Sequence, residues 1–262
     1  MATESIGQSI SLTGSRTHQI EINGLTAQGQ LSLTFSYSTQ QYSSDTIQQL
    51  ADSYQHHLHT LISHCQTNYG YTPSDFPLAQ IDQAQIEQLR ARYADQIEAI
   101  YPLSPMQQGM LFHSLYAPDT GAYVTQLNLQ LTGALNSAQL QQAWQSVIDR
   151  QPILRTAFDT TGSEPLQIVL KQAGLTWADT DQRAGDFDLS CPPLIRVQLE
   201  QISETSWWLH WQSHHILQDG WSLPLILEEL FAHYQAAQTQ APANLAPVTP
   251  YQHYIALSLI HI

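Results

Sequence analysis

Two adjacent histidines, with a carboxylate and a glycine close behind, are the residues of this chain whose types and spacing invite chemistry. They lie in Ser213-His214-His215-Ile216-Leu217-Gln218-Asp219-Gly220-Trp221-Ser222. An imidazole titrates near neutrality, so it can take up a proton in one step and return it in the next. The preceding Trp207-Trp208-Leu209-His210-Trp211-Gln212 is rich in β-favouring side chains, and an amphipathic helical run follows. The motif therefore falls where a strand ends and a helix begins. On a strand, side chains alternate between faces. His215 then shares a face with Ser213, Trp211 and Leu209, and His214 shares the other with Gln212 and His210. One imidazole can enter a cleft while its neighbour is held inside. That suits a single acid/base histidine and suits a metal poorly, because adjacent strand residues rarely converge on one ion. Asp219 is near enough to orient an imidazole or to pair with an arginine. Gly220 permits a tight turn or close approach by another group.

The arrangement resembles the His-His-x-x-x-Asp-Gly motif of the condensation-domain superfamily of nonribosomal peptide synthetases. The resemblance implies an α/β (mixed α+β) fold, two-lobed and similar to chloramphenicol acetyltransferase. It implies substrates held as thioesters on the 4'-phosphopantetheine arms of carrier-protein domains, which enter a tunnel from opposite sides. The acceptor amine attacks the donor thioester and an amide forms. By position, His215 is then the catalytic histidine, which takes a proton from the amine or orients it. His214 and Asp219 hold the loop, Gly220 gives the arms room, and Ser213 and Trp221 flank the motif. No cofactor is bound directly. The partners implied are carrier domains and the adjacent synthetase domains.

The bulk properties agree with such a setting. The 262 residues are 42% hydrophobic and 11% charged, enough for one large domain or two smaller ones. A net charge of −14 argues against nucleic acid or an anionic membrane as partner. Cys65 and Cys191 lie far apart, in no metal or redox spacing, and read as free thiols in a reducing cytoplasm. The first residues (Thr3, Glu4, Ser5, Gln8, Ser9) are polar and lack an apolar signal core. No apolar run approaches the roughly 20 residues of a membrane helix.

Residues 101–256 must position the motif. Tyr101-Pro102-Leu103-Ser104-Pro105-Met106-Gln107-Gln108-Gly109-Met110-Leu111-Phe112 opens them, with Ser104 at an N-cap, Pro105 at the first helical position and Gln107 closing a capping box. This stretch is similar to the first condensation-domain motif, in the form found where the donor ends in a D-residue. Leu127, Leu129 and Leu131 share a strand face that ends at Gly133. Ser137 is expected to cap a helix with Leu140, Ala143, Trp144, Val147 and Ile148 on its apolar face. Asp149-Arg150-Gln151-Pro152-Ile153-Leu154-Arg155 resembles the family's second motif, with Gln151 where a histidine is usual. A buried arginine needs a carboxylate, so Arg155 is a candidate structural pair-former. Residues 165–170 read as a strand. Phe187-Asp188-Leu189 and Pro193-Leu194-Ile195-Arg196-Val197 match the approach to the motif, although residues 178–186 are shorter than the family's helical stretch there. Ser222 is expected to cap the helix after the motif, its dipole favouring a nearby developing negative charge.

Upstream, residues 1–66 carry a strand in which Leu31, Leu33, Phe35 and Tyr37 alternate with polar residues. A partner strand over residues 18–22 should turn at Asn23-Gly24. A helix follows, bearing Ile47, Leu50, Tyr54, Leu58, Leu61 and Ile62, with Asp45 and Gln48 as a capping box. Glu21-Ile22-Asn23-Gly24, Gly29-Gln30-Leu31 and Phe35-Ser36-Tyr37-Ser38 resemble the C-terminal end of an epimerization domain, a partial domain of the same superfamily. Its catalytic motif would lie before Met1, so epimerase activity is not expected. Residues 67–100 read as an interdomain linker, helical over 82–100. Residues 257–262 read as a non-native tail outside the fold. The chain is expected to hold only the N-terminal lobe of the condensation domain and to be inactive by itself. Two other classes fit parts of this pattern. One is a His-x-x-x-Asp acyltransferase using acyl-coenzyme A, and the other a non-catalytic carrier-docking fragment. The sequence has no Gly-x-Ser-x-Gly elbow of a serine hydrolase.

Overall fold

Hydrophobic alternation builds the first element pair. In the computed structural model, which describes residues 17–67, 70–118, 120–175, 177 and 187–260, the chain divides into two units, Met1–Gly70 and Tyr71–Ile262. In the first, β1 (Ile20–Ala27) and β2 (Gln30–Tyr37) pair antiparallel with Ile22 opposite Phe35. The expected turn at Asn23-Gly24 is not there. The strand runs through both, and the chain reverses at Gln28 and Gly29, with φ of 51° and 76°. A two-residue hairpin loop of type I′ takes positive φ at both positions, as Gln28 and Gly29 do. Gly24 instead answers to close approach, since a Cβ there would lie 3.2 Å from Leu33 Cδ2. Helix α1 (Ser44–Thr67) is capped by Ser43, whose Oγ accepts from Thr46 N at 3.2 Å, and not by Asp45. Gln48 reaches forward to Asp52 instead. Of its apolar stripe only Ile47 is buried, while Leu50, Tyr54, Leu61 and Ile62 are exposed.

The second unit begins earlier than its composition suggests. Residues 71–100 are not a loose connector. Helix α2 (Gln83–Tyr93) starts at an Asp82–Gln85 capping box and lays Ile86, Leu89 and Tyr93 into a core with Phe76, Ile81, Ile97, Ile100, Ala157, Leu166 and Ile168. Burial pushes the Tyr93 hydroxyl up to about 12, and it donates to Ser190 O at 3.2 Å. The helix expected over 82–100 stops at Tyr93, because Ala94 turns to φ 52°. Strand β3 (Ile97–Pro102) follows, and an irregularity between Ile97 and Ala99 lets Ile97 and Ile100 both be buried.

Two three-stranded sheets organise the rest. One has the order β3-β6-β5, with β5 (Thr156–Asp159) and β6 (Leu166–Leu170). The other has the order β4-β8-β7, with β4 (Val124–Thr132), β7 (Ile195–Ser203) and β8 (Ser206–His214). All pairings are antiparallel. Leu209 and Trp211 on β8 face α4 (Ser137–Arg150) and α5 (Ser222–Thr239). Trp144 meets Trp211 edge-on, ring centres 5.1 Å apart. The expected apolar face of α4 is buried throughout, but its cap is Asn136, whose Oδ1 accepts from Gln139 N, and not Ser137. Helix α3 (Pro105–Tyr116) runs between the two sheets' strands in sequence. Helix α6 (Tyr251–Ile260) buries Ile255 with Tyr101 and Val169. Residues 257–260, expected to be a tail, continue α6. The short stretch at residues 178–186 lies outside the described residues.

Candidate active site

The central strand of its sheet, β8, carries the motif to the surface. Val124 pairs with His214 on one side, and Ile195 pairs with Ser213 on the other. The strand ends at His214, so His215 is the first residue of a turn. The face assigned to His215 by strand alternation therefore does not apply. Its direction is set by the turn, in which His215 N donates to Tyr123 O at 2.7 Å, Leu217 N to His214 O, and Gln218 N to His215 O. Leu209 and Trp211 lie in the apolar core, while Gln212, Ser213 and His214 are all buried, so burial no longer alternates as the strand reaches its end.

The two imidazoles have different surroundings. His214 is 3% exposed. Its Nδ1 accepts from Ile216 N at 3.1 Å, and its Nε2 lies 3.2 Å from Ser114 Oγ on α3. The Phe187 ring stands perpendicular to it. His215 is half-buried, and among the described residues its ring makes no hydrogen bond or ion pair. Ser213 Oγ accepts from Gln218 Nε2 at 2.8 Å and lies 3.0 Å from Thr125 Oγ1, which closes the turn beneath His215.

Ser104 and Gln107 form the expected capping box. The structure adds a second role for Gln107. Its Nε2 donates to Gln167 Oε1 at 2.9 Å and to Ile216 O at 3.1 Å, while its Oε1 accepts from Ser104 N and Gln167 Nε2. A buried amide with all these bonds made is rigid. Ser114 and Gln167 escaped sequence reasoning. A signal existed for the first: Gln107, Met110, Leu111 and Ser114 fall at i, i+3, i+4 and i+7, two polar residues on an otherwise apolar face.

Asp219 reaches neither an imidazole nor an arginine among the described residues. Its Oδ1 accepts from Ser222 Oγ at 2.8 Å, Ser222 N at 3.0 Å and Trp221 N at 3.1 Å. The Ser222 hydroxyl above all, with the backbone N–H groups of Ser222 and Trp221, holds its carboxyl below the usual carboxylate range. Trp221, not Ser222, stands at the N-cap of α5 and makes no side-chain cap bond, while Asp219 just before it accepts the N–H groups of Trp221 and Ser222 and is the anion at that helix's start. Arg155 has the carboxylate partner expected of it: Nη1 lies 2.7 Å from Glu98 Oε2, while Nε donates to Ile148 O and Nη1 to Leu170 O. Nothing in the described chain lies within 4 Å of a Cβ built on Gly220, whose φ is not positive, so the fold places no demand for glycine there. Trp221 beside it is 87% exposed.

A cavity of about 340 Å³ opens beside His214, lined by Leu111, Ser114, Phe158, Phe187, Asp188 and Arg92 among others. Arg92 is tied to the buried Asp159 at 3.2 Å. Among the described residues no three histidine, cysteine or acidic side chains come together as a metal site, and no helix is long and apolar enough to cross a membrane.

Residues 97–258 match the family described as Condensation domain. The chain is similar to a linear gramicidin synthase of Brevibacillus parabrevis, 38% identical over 97% of this chain and 5% of that protein. It is also similar to chondramide synthase cmdD of Chondromyces crocatus, 34% identical over 97% of this chain and 8% of that protein. The chain thus spans less than a tenth of the length of either relative. In fold it is similar to the starter condensation domain of rhizomide synthetase RzmA, with 18% identity and a TM-score of 0.56 over 63% of this chain and 46% of that one.

Proposed function

The chain belongs to the condensation-domain family, and on that premise we propose that it is part of a nonribosomal peptide synthetase in which His215 serves amide-bond formation between carrier-bound thioesters. One observation carries the reading. His215 is a half-buried imidazole with no partner among the described residues, on a turn whose backbone is held on every side. A histidine that only stabilised the fold would have a partner, as His214 does.

The chemistry is a single exchange at a carbonyl. The acceptor amine nitrogen attacks the donor thioester carbon. His215 orients the amine or takes its proton. The C–S bond of the tetrahedral intermediate then breaks, and the departing pantetheine sulfur leaves as a thiol once protonated. Proton handling of this kind is worth roughly 10²–10⁴-fold, and holding both arms in line contributes a comparable amount. His214, Asp219, Ser213 and Gln107 hold the turn. Gly220, with open space where a side chain would stand, leaves room for a pantetheine arm.

The unit before residue 71 is read as the C-terminal end of an epimerization-like domain, and the condensation domain as one that accepts a donor ending in a D-residue. Two features support this: the Glu21–Gly24 and Phe35–Ser38 phrases, and similarity to a gramicidin synthase that extends over 97% of this chain. The partners are carrier domains bearing 4'-phosphopantetheine and the neighbouring synthetase domains.

The test is His215→Ala in a synthetase that contains this chain, assayed with two carrier-bound aminoacyl thioesters. Amide formation should fall by about 10²–10⁴-fold while carrier loading is unchanged. A variant that retains half the rate sinks the catalytic assignment.

A further inference from the structure

His214 and Ser114 stand 100 positions apart in the chain and meet at 3.2 Å. We propose that Ser114 is a positioning residue for the motif turn: its hydroxyl oxygen holds His214 in the tautomer protonated on Nε2, which leaves the Nδ1 lone pair to accept the N–H of Ile216. The functional meaning rests on reading His215 as catalytic; the tautomer itself does not.

The direction of every proton in this chain of bonds follows from groups that have no choice. A backbone N–H can only donate, so the 3.1 Å contact from Ile216 N requires an unprotonated Nδ1. A neutral imidazole with an unprotonated Nδ1 carries its proton on Nε2, which faces Ser114 Oγ. The Ser114 hydroxyl proton is committed to Met110 O at 2.9 Å, one turn back in α3. That leaves a lone pair to receive Nε2–H. The protons thus run one way, from Ile216 N–H through His214 to Ser114 and on to Met110 O. The opposite tautomer would set Nδ1–H against Ile216 N–H, two donors facing each other.

Ile216 is the residue after His215. Its N–H is taken by His214 and its carbonyl by Gln107, while the N–H of His215 is taken by Tyr123 O. The backbone on both sides of the His215 Cα is therefore fixed, and with it the direction in which the imidazole leaves the turn. Ser114 completes this by accepting Nε2–H and so favouring the same tautomer that the Ile216 N–H requires, in a ring that touches the turn from below. Helix α3 thereby acts twice on the motif, through Gln107 and, two turns later, through Ser114.

The experiment is ¹⁵N-histidine labelling of the full chain, with ring-nitrogen shifts read by long-range ¹H–¹⁵N correlation near neutral pH. His214 is assigned by the signal lost in His214→Gln. The wild-type ring should show a widely split pair, with protonated Nε2 and unprotonated Nδ1. Ser114→Ala should lower the tautomer ratio by about tenfold, the equivalent of one hydrogen bond, and so narrow the splitting. Ser114→Thr, which keeps the oxygen, should restore it, and the other histidines should stay in place as a check on folding. A protonated Nδ1 in the wild type, or a splitting unmoved by Ser114→Ala, overturns the proposal. If instead His215→Ala left condensation intact while Ser114→Ala narrowed the splitting, the catalytic reading would fall and the tautomer lock would stand.

Discussion

At the residue scale, Asp219 is defined by what donates to it. Three hydrogen bonds from Trp221 and Ser222 favour its ionised form and lower its pKa. A carboxyl with a lowered folded pKa adds stability above its unfolded value of about 3.9, and that stability is lost as the pH falls through the folded value. Asp219→Ala should therefore cost at most about 1 kcal/mol at pH 7, because the carboxylate is exposed and its hydrogen bonds are screened by solvent. The deficit relative to wild type should narrow at pH 3 in urea unfolding. An equal deficit at both pH values would mean that the charge contributes nothing. The sequence made Asp219 and an imidazole or arginine plausible partners. The actual partners are two and three residues away, because a short Asx-type turn satisfies the carboxylate before any distant group can.

At the element scale, helix α3 links its own start to the motif turn. If Gln107 were a cap alone, replacing it would cost about what Ser104→Ala costs, near 1 kcal/mol. The structure sets a larger loss. Gln107→Ala strands Ser104 N–H, Ile216 C=O and the Oε1 of the fully buried Gln167, whose Nε2 keeps its bond to Pro102 O. An orphaned buried polar group costs about 1–3 kcal/mol, so Gln107→Ala should destabilise by about 2–4 kcal/mol and exceed Ser104→Ala clearly in denaturant midpoint. Equal midpoints would reduce Gln107 to a cap. The capping box was legible because its partners are three residues apart. The bond to Ile216 was not, since it joins residues 109 positions apart.

At the scale of the whole molecule, the boundary between the two units falls at residue 70 and not near residue 100. Phe76, Ile86, Leu89 and Tyr93 are core residues of the second unit. Deleting residues 1–70 should leave the cooperative unfolding of the remainder within a few degrees of its position in the full chain. Deleting residues 1–96 should abolish that transition, because it removes half of one core; burying each large apolar side chain is worth about 1.5–3 kcal/mol. Calorimetry on the two truncations checks this. If the shorter piece melts as the longer one does, residues 71–96 are a linker after all. The linker reading missed this because the three apolar residues Ile86, Leu89 and Tyr93 in the polar helix α2 look weak alone. They are enough when both flanks, Phe76 and Ile81 before and Ile97 and Ile100 after, fold over the same strands.

Local periodicity, read from consecutive residues, was enough to find β2, β4, α4 and the strand–turn–helix passage around His214 and His215. It also found the capped start of α3 and the need of Arg155 for a carboxylate. These depend on properties of side chains a few positions apart, and each element carries them wherever it packs. Tertiary structure decided the rest. It ended β8 at His214 and handed His215 to a turn. It moved three caps and one hairpin turn by a few residues, and drew residues 71–100 into a core. It also chose Ser114 and Gln107 as the groups that hold the motif from beneath. The grip of Ser114 and Gln107 on the motif depends on hydrogen bonds between residues 60 to 109 positions apart. Such pairs meet only after separate elements have packed, and no pattern within one element encodes which partner will be there.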